Sequence, residues 1–359
     1  MQRAVICSHE PWKHIPRLRG THSIMIVNPD ATPIRMKYVL DKSDYSLLVT
    51  DDKEFVRKGG WYQDEAMVLY TSGTTGDSKF YSFSQSQIDL KCQVFKKHLD
   101  IDASDRYFGV MPLWHTHGLG LYLATESIGC EREFGSVKDL KKLQTFQPTV
   151  VSAIPDVLRA MLPLRLENLK YMRSASSALS DDLLRQLTNR FGVPIVEGFG
   201  MTETLGFCMS NPVNDTRIGT VGQPWLDARL DEQGHLWFKA PWCYTDQWFD
   251  TGDLAEQDSQ GYYRIMGRSV DQLNIRGKKF NPVSLESQLL KNINGIRECV
   301  IFGDTQLKCL FVGNADINSI KTFLSSLDVH LKPVVLQQVD TVPTLNGKIS
   351  RSFLTKNHK

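Results

Sequence analysis

Residues 66–80 read A-M-V-L-Y-T-S-G-T-T-G-D-S-K-F. The run at 66–70 is short and apolar throughout, which predicts a buried strand. The stretch after it concentrates hydroxyls (Thr71, Ser72, Thr74, Thr75, Ser78), glycines (Gly73, Gly76) and a closing Lys79. Hydroxyls and exposed backbone N–H groups donate hydrogen bonds to phosphate oxygens, glycine lets the backbone come close, and lysine adds a point charge. An ordinary surface loop uses the same residue types, but a buried strand leading into this one argues against a slack linker. The spacing is G-x-x-G-x-x-K, so it is not the common G-x-x-x-x-G-K-[ST] pattern.

Strand-like and helix-like segments alternate on both sides of this stretch. Upstream, 23–27 and 45–50 read as strands and 35–40 as helical. Downstream, Ile88, Cys92, Phe95 and Leu99 recur at helical spacing over 85–99, and 106–111 and 149–153 read as strands. Ser180-Asp-Asp caps a helix over 180–191, followed by a strand at 193–197. This alternation predicts an α/β fold with layered, largely parallel sheets. From Leu226 the texture changes to short pieces with turns at 231–234 and 258–261. Beyond Gly267, strands at 299–302, 308–312 and 334–339 with two helices form a small α+β domain. The expected division is a large N-terminal core over 1–267 and a small, mobile C-terminal domain over 268–359, hinged at 267–271.

A length of 359 residues suits about two or three domains. A formal charge of +2 gives no reason to expect nucleic acid or a membrane surface as partner. The seven cysteines are scattered without a C-x-x-C pair, which argues against a zinc site or disulfide framework and fits a reducing cytoplasm. The N-terminus has no signal-peptide pattern, and no apolar run reaches the length of a membrane span.

Several further segments carry chemistry. In G-F-G-M-T-E-T (198–204) the glycines Gly198 and Gly200 allow a tight turn, Phe199 can stack on a flat base, Thr202 can donate to a phosphate, and Glu203 is a hard oxygen ligand suited to Mg²⁺. In W-F-D-T-G-D-L (248–254) Asp253 follows a glycine turn and can accept from ribose hydroxyls. In G-R-S-V-D-Q-L-N-I-R-G (267–277) Arg268 can reach a ribose or phosphate, and Gly277 permits close approach of another chain or ligand. In N-G-K-I-S-R (346–351) the Asn-Gly pair puts Lys348 at a turn. In P-L-W-H-T-H-G (112–118) an H-x-H pair on a strand would share one face, but no third metal ligand is evident. An organic pocket lined by Trp114 and His115 is the better reading. Taken singly, each segment has a plain structural explanation: a turn cap, an interdomain linker or a solvated lysine.

Taken in order, these segments resemble the adenylate-forming superfamily: acyl- and aryl-CoA synthetases, luciferases and the adenylation domains of peptide synthetases. The matching stretches are Y-T-S-G-T-T-G-D-S-K, P-L-W-H-T-H-G-L, G-F-G-M-T-E-T, G-T-V-G-Q-P, W-F-D-T-G-D-L, G-R-S-V-D-Q-L-N-I-R-G and N-G-K-I-S-R. The resemblance implies that a carboxylate attacks the α-phosphorus of ATP, giving acyl-AMP and pyrophosphate, and that a thiol then displaces AMP. It implies that Thr71, Ser72, Gly73, Thr74, Thr75, Gly76 and Lys79 cradle the β- and γ-phosphates. It also implies that Phe199 stacks on adenine, Thr202 contacts the α-phosphate, Glu203 binds Mg²⁺, Asp253 and Arg268 hold the ribose, and Lys348 bridges carboxylate and α-phosphate. Rotation of the small domain would then bring the Gly277 segment to the thiol channel.

The chain departs from the pattern in places. The region upstream of the phosphate loop is shorter than the family's. Ser174-Ala-Ser-Ser-Ala-Leu179 stands where the family has S-G-G-A-P-L, and Val270 stands at the hinge position. The acid pocket is expected at Trp114, His115, Ser176 and Gly198. The 112–118 stretch has no carboxylate to pair with an α-ammonium, and a buried ammonium without a counter-charge is costly. An aromatic or short acyl acid is therefore favoured over an amino acid. The expected activity is an AMP-forming acid–thiol ligase that uses ATP, Mg²⁺ and coenzyme A or a carrier protein's phosphopantetheine. The alternatives are an enzyme that loads a dedicated protein partner and a non-catalytic nucleotide-binding relative.

Overall fold

The computed structural model describes residues 1–71, 78–303, 305–343 and 349–357. The chain divides into two compact units: 1–228 with 238–249 and 258–263, and 229–237 with 250–257 and 264–359.

The first unit is built on two sheets. The first consists of β1 (Gln2–Cys7), β2 (His22–Ile26), β3 (Leu47–Thr50), β4 (Glu54–Val56), β5 (Met67–Tyr70) and β6 (Phe80–Phe83), in the order β4-β3-β1-β2-β5-β6. β1 runs parallel to β2 and β3, and β2 parallel to β5, while the two edges are closed by antiparallel partners. The second consists of β7 (Arg106–Gly109), β8 (Glu131–Phe134), β9 (Val150–Ala153), β10 (Tyr171–Ser174), β11 (Ile195–Met201), β12 (Gly206–Ser210) and β13 (Gln223–Pro224), in the order β13-β12-β11-β10-β9-β7-β8. It is parallel from β8 through β11 and antiparallel beyond.

Two helices fill the space between the sheets. Thr116–Ile128 sends Leu119, Tyr122 and Leu123 into the core against the first sheet and Leu121 and Ala124 into the core against the second. Gln85–His98 likewise gives Ile88 and Cys92 to one core and Phe95 to the other. Thr116–Ile128 buries an unbroken run from His117 to Thr125, the pattern of a helix covered on every side. The outer face of the first sheet packs Val39 of the helix Pro33–Ser43, and that of the second packs the helices Pro155–Met161 and Asp181–Phe191. The layered α/β class expected from the alternation is thus observed, and the elements expected from the sequence lie within a few residues of their spans, while Gln2–Cys7, Phe80–Phe83, Tyr171–Ser174 and Thr116–Ile128 are among those it does not announce.

Lys91, on Gln85–His98, is fully buried, donates to the Phe207 carbonyl and faces the rings of Phe95 and Trp242 at 4.9 and 5.3 Å. Burial pulls its pKa down to about 8, with the thiols of Cys208, Cys243 and Cys92 opposing the shift. The unfolded chain holds that proton to a pH of about 10.4, so over the interval above pH ~8 the unfolded state binds more protons and this group's contribution to stability rises with pH. Chemical denaturation of the natural protein and of Lys91→Met is expected to diverge in favour of the natural protein across this interval, by at most about 1.4 kcal/mol per pH unit. A pH-independent difference would contradict it.

The second unit carries the antiparallel hairpin Leu273–Ile275 and Lys278–Phe280, and a sheet of Ile296–Phe302, Lys308–Gly313 and Val335–Gln338. Among the described residues its helices are Pro282–Asn292, Ile317–Leu327 and Arg351–Asn357, one more than the sequence suggests. Arg351–Asn357 is too short for its periodicity to register. Among the described residues, no helix is long and apolar enough to cross a membrane.

Candidate functional site

The strands flanking the 70–80 loop are its scaffold. β5 and β6 pair antiparallel with Tyr70 opposite Phe80, and the Thr71 N–H donates to the Lys79 carbonyl at 3.0 Å. Thr71 is half-buried and Lys79 exposed. Ser72, Gly73, Thr74, Thr75 and Gly76 lie outside the described residues. Arg35, from the helix Pro33–Ser43, donates to the Ser78 hydroxyl and, at 3.5 Å, to the Thr71 carbonyl. This second cation at the loop base was missed in the sequence, because an arginine on a helix forty residues upstream carries no motif.

The glycines of 198–204 do a different job from the one expected. No tight turn forms at Gly198 or Gly200: β11 continues to Met201 and pairs with β12, with an irregularity between Phe199 and Gly200. A Cβ on Gly200 would lie 2.4 Å from the Gly206 carbonyl oxygen, so glycine is needed for the approach of the two strands. The reversal comes later, at the short helix Thr202–Thr204 and at Leu205, whose φ is 51°. Phe199 is half-buried, its ring 6.2 Å from that of Phe238.

Glu203 stands on this reversal, beside Thr202, with both half-buried. The Tyr81 hydroxyl donates to Glu203 Oε1 at 2.6 Å, and the Tyr244 N–H donates to the Glu203 carbonyl at 2.9 Å. Burial, then the bond to Glu203, pushes the Tyr81 phenol well above its ordinary pKa, which keeps it a neutral donor. Among the described residues no group of three or more His, Cys, Asp or Glu is gathered into a metal cage. A lone carboxylate suits Mg²⁺ that arrives with phosphate ligands of its own.

The two histidines of 112–118 sit on a helix start, not on a strand. His115 is the N-cap of Thr116–Ile128 and is exposed, and Trp114 packs on the core below the first sheet. His117 is buried, with Nε2 2.8 Å from Ser152 Oγ, Nδ1 3.0 Å from Ser176 Oγ and its ring 5.0 Å from Phe207. Ser176 is exposed just past the carboxyl end of β10 and holds φ at 71°, in the left-handed region that a serine rarely adopts. Ser176 thus lies just past the carboxyl end of β10, and Gly198 just past the last residue of β11 paired in parallel with it, at the edge of the sheet where α/β folds bind ligands. His117, which the sequence offers only as half of an H-x-H pair, is a polar group of this region.

In the second unit, Arg268 Nε lies 3.0 Å from Asp253 Oδ1, and Arg268 Nη1 donates to the Thr251 carbonyl at 2.9 Å. The two residues expected to hold a ribose are therefore neighbours of each other, Asp253 buried and Arg268 exposed. Gly277 has φ 81° and follows Arg276 at φ 53°, which makes the hairpin turn, and no described atom comes within 4 Å of where its Cβ would be. The positive φ of the turn is by itself enough to require glycine there. Val270 is exposed. Lys348 lies outside the described residues. Arg351, three positions later, donates to both carboxylate oxygens of Glu286 at 2.7 and 2.8 Å and to the Ile301 carbonyl at 3.0 Å, and lies 3.7 Å from Asp271.

The model of the AMP-binding enzyme family matches residues 56–235, half of the chain. The malonate–CoA ligase of Arabidopsis thaliana is 27% identical over 71% of this chain and 50% of its own length. The benzoate–CoA ligase of Thauera aromatica is 27% identical over 85% of this chain and 68% of its own length. The chain thus spans about half the length of the first relative and about two thirds of the second. The structure of o-succinylbenzoate coenzyme A synthetase from Bacillus subtilis, in complex with ATP and magnesium ion, superposes with a TM-score of 0.79 at 19% identity, covering 95% of this chain and 86% of that one.

Proposed function

The chain belongs to the AMP-binding enzyme family, within the adenylate-forming superfamily, and from that membership we propose that it joins a carboxylic acid to coenzyme A through an acyl-AMP intermediate. The observation that carries this reading is the content of the matched span: residues 56–235 hold both the base of the 70–80 loop and the Thr202–Thr204 reversal, tied by the bond from Tyr81 to Glu203. The CoA ligases among its relatives support the reaction class.

In the first half-reaction a carboxylate oxygen of the acid attacks the α-phosphorus, the bond to the β-phosphate oxygen breaks, and pyrophosphate leaves. In the second, the thiolate adds to the acyl carbonyl and AMP leaves with the bridging oxygen. Little bond-making falls to the protein; positioning and stabilisation of charge at the phosphates do most of the work. We assign Thr71, Lys79 and the hydroxyls between them to the β- and γ-phosphates, Thr202 to the α-phosphate, Phe199 to adenine, and Asp253 with Arg268 to the ribose. Glu203 would hold Mg²⁺, which supplies positive charge at the phosphate oxygens. Residues 268–359 are assigned as the small domain that supplies Lys348. The acid is assigned as aromatic or short acyl, in keeping with benzoate and malonate as the acids named for the two relatives.

For the acid, Ser176 and Gly198 keep the role expected of them and His117 joins them, while exposed His115 and core-packed Trp114 have weaker claims. His117→Ala is expected to raise the KM for the acid about tenfold, the loss of roughly one hydrogen bond, and to leave the KM for ATP within about twofold of the natural protein. Steady-state titration of each substrate at saturation of the other checks this; equal effects on both would place His117 outside the acid pocket. The reaction itself is tested by coenzyme A thioester formation in the presence of ATP, Mg²⁺ and a panel of acids.

A further inference from the structure

The loop base belongs to β5 and β6 and the Thr202–Thr204 reversal joins β11 to β12, and the side chain of Tyr81 ties the two together. Tyr81 follows Lys79 by two positions on β6, paired with Leu69 of β5. Its phenol reaches Glu203 Oε1 at 2.6 Å, the short separation of a hydroxyl donating to a carboxylate. The ring cannot easily move: it is 9% exposed, packed in the core beneath the first sheet with Leu205, and met edge-on by Tyr244 at 5.1 Å and 72°. Tyr244 also holds the Glu203 carbonyl through its backbone N–H. Glu203 is therefore fixed at its backbone by one tyrosine and at its carboxylate by another.

We propose that Tyr81 is a positioning residue for the metal–nucleotide complex. Its phenol takes Oε1 of Glu203 and turns Oε2 toward the ion that arrives with the phosphates. Because the same residue sits in the strand that closes the phosphate loop, the carboxylate is held in register with the loop. The proposal rests on the assignment of Glu203 as the magnesium ligand. A carboxylate already locked in one rotamer loses less entropy when it takes up a ligand. Partners that orient a metal ligand in this way are worth about 10–100-fold in affinity. A tyrosine that merely needed an acceptor for its buried hydroxyl would have no such effect on the nucleotide.

Tyr81→Phe keeps the ring and deletes only the donor. The probe is α,β-methylene-ATP, whose bridging carbon prevents adenylyl transfer, titrated calorimetrically with Mg²⁺ and again in EDTA. The magnesium complex is expected to bind about tenfold more weakly to Tyr81→Phe, at the lower end of that range, with metal-free binding unchanged. The variant carrying both Tyr81→Phe and Glu203→Gln is expected to bind no more weakly than Glu203→Gln alone, since the tyrosine acts through the glutamate. Equal affinity for the magnesium complex in the natural protein and Tyr81→Phe, or losses that simply add, would overturn the proposal. If Glu203→Gln alone leaves the magnesium dependence intact, the assignment of Glu203 falls, and the proposal with it.

Discussion

Lys348→Ala is expected to slow acyl-AMP formation on the order of a thousandfold, the loss that follows when a cation is taken from developing charge at a transferring phosphoryl group. The same variant is expected to convert supplied acyl-AMP and coenzyme A to thioester within a few-fold of the natural rate. The asymmetry follows from the chemistry. In the first half-reaction negative charge from the acid and from the α-phosphate converges on one centre, and a lysine bridging the two relieves the repulsion. In the second half-reaction the phosphate leaves already bonded as AMP, and no carboxylate remains to be bridged. Single-turnover measurement of each half-reaction separates the two cases. Equal losses in both would make Lys348 a structural or general binding residue.

The largest stability effect is expected at Arg351→Ala. The Glu286 carboxylate is buried and accepts two hydrogen bonds from Arg351 and one from the Ile301 N–H. Burial raises its pKa, and Arg351 is the chief influence that pulls it back. Removing one member of a buried ion pair costs about 3–5 kcal/mol, because the other charge is left desolvated and unpaired. Both proteins lose stability as pH climbs from the ordinary glutamate value of about 4.3, but without Arg351 the Glu286 pKa is raised further, so the deficit of Arg351→Ala is expected to widen once pH passes the natural protein's raised value. Adding Glu286→Gln removes the stranded charge and is expected to recover part of the loss and flatten the pH dependence. Thermal unfolding followed across pH checks both. A deficit below about 1 kcal/mol would mean that the pair is solvated and weak.

Arg351 also illustrates how much of this molecule is legible in its sequence. The N-G-K-I-S-R segment points to Lys348, but nothing in it says that Arg351 is clamped by an acid on the helix Pro282–Asn292. Such pairs are written in three dimensions. The alternation of strands and helices is readable because the central strands are short apolar runs and most helices keep a polar face. Thr116–Ile128 escapes that logic: wedged between two sheets, it buries an unbroken run from His117 to Thr125 and has no amphipathic stripe to detect. Its start therefore carries no helical signal in the sequence, which points to His115 for the pocket where the structure buries His117. Gly200 was read as a turn because glycine in a sequence announces permissive backbone without saying whether φ or close approach requires it; here the requirement is room for the backbone of Gly206. Tyr81 left no signal, since an aromatic at a strand position is ordinary core until its hydroxyl is seen to reach a carboxylate.

This chain is expected to make an acyl-AMP from ATP and a carboxylic acid. Exchange of labelled pyrophosphate into ATP, run without coenzyme A over a panel that includes benzoate and short mono- and dicarboxylic acids, tests it most directly. Exchange is expected to depend on at least one of these acids, to require Mg²⁺ and to fall by roughly two orders of magnitude or more in Glu203→Gln. A folded protein that binds ATP yet exchanges no pyrophosphate with any acid would contradict it.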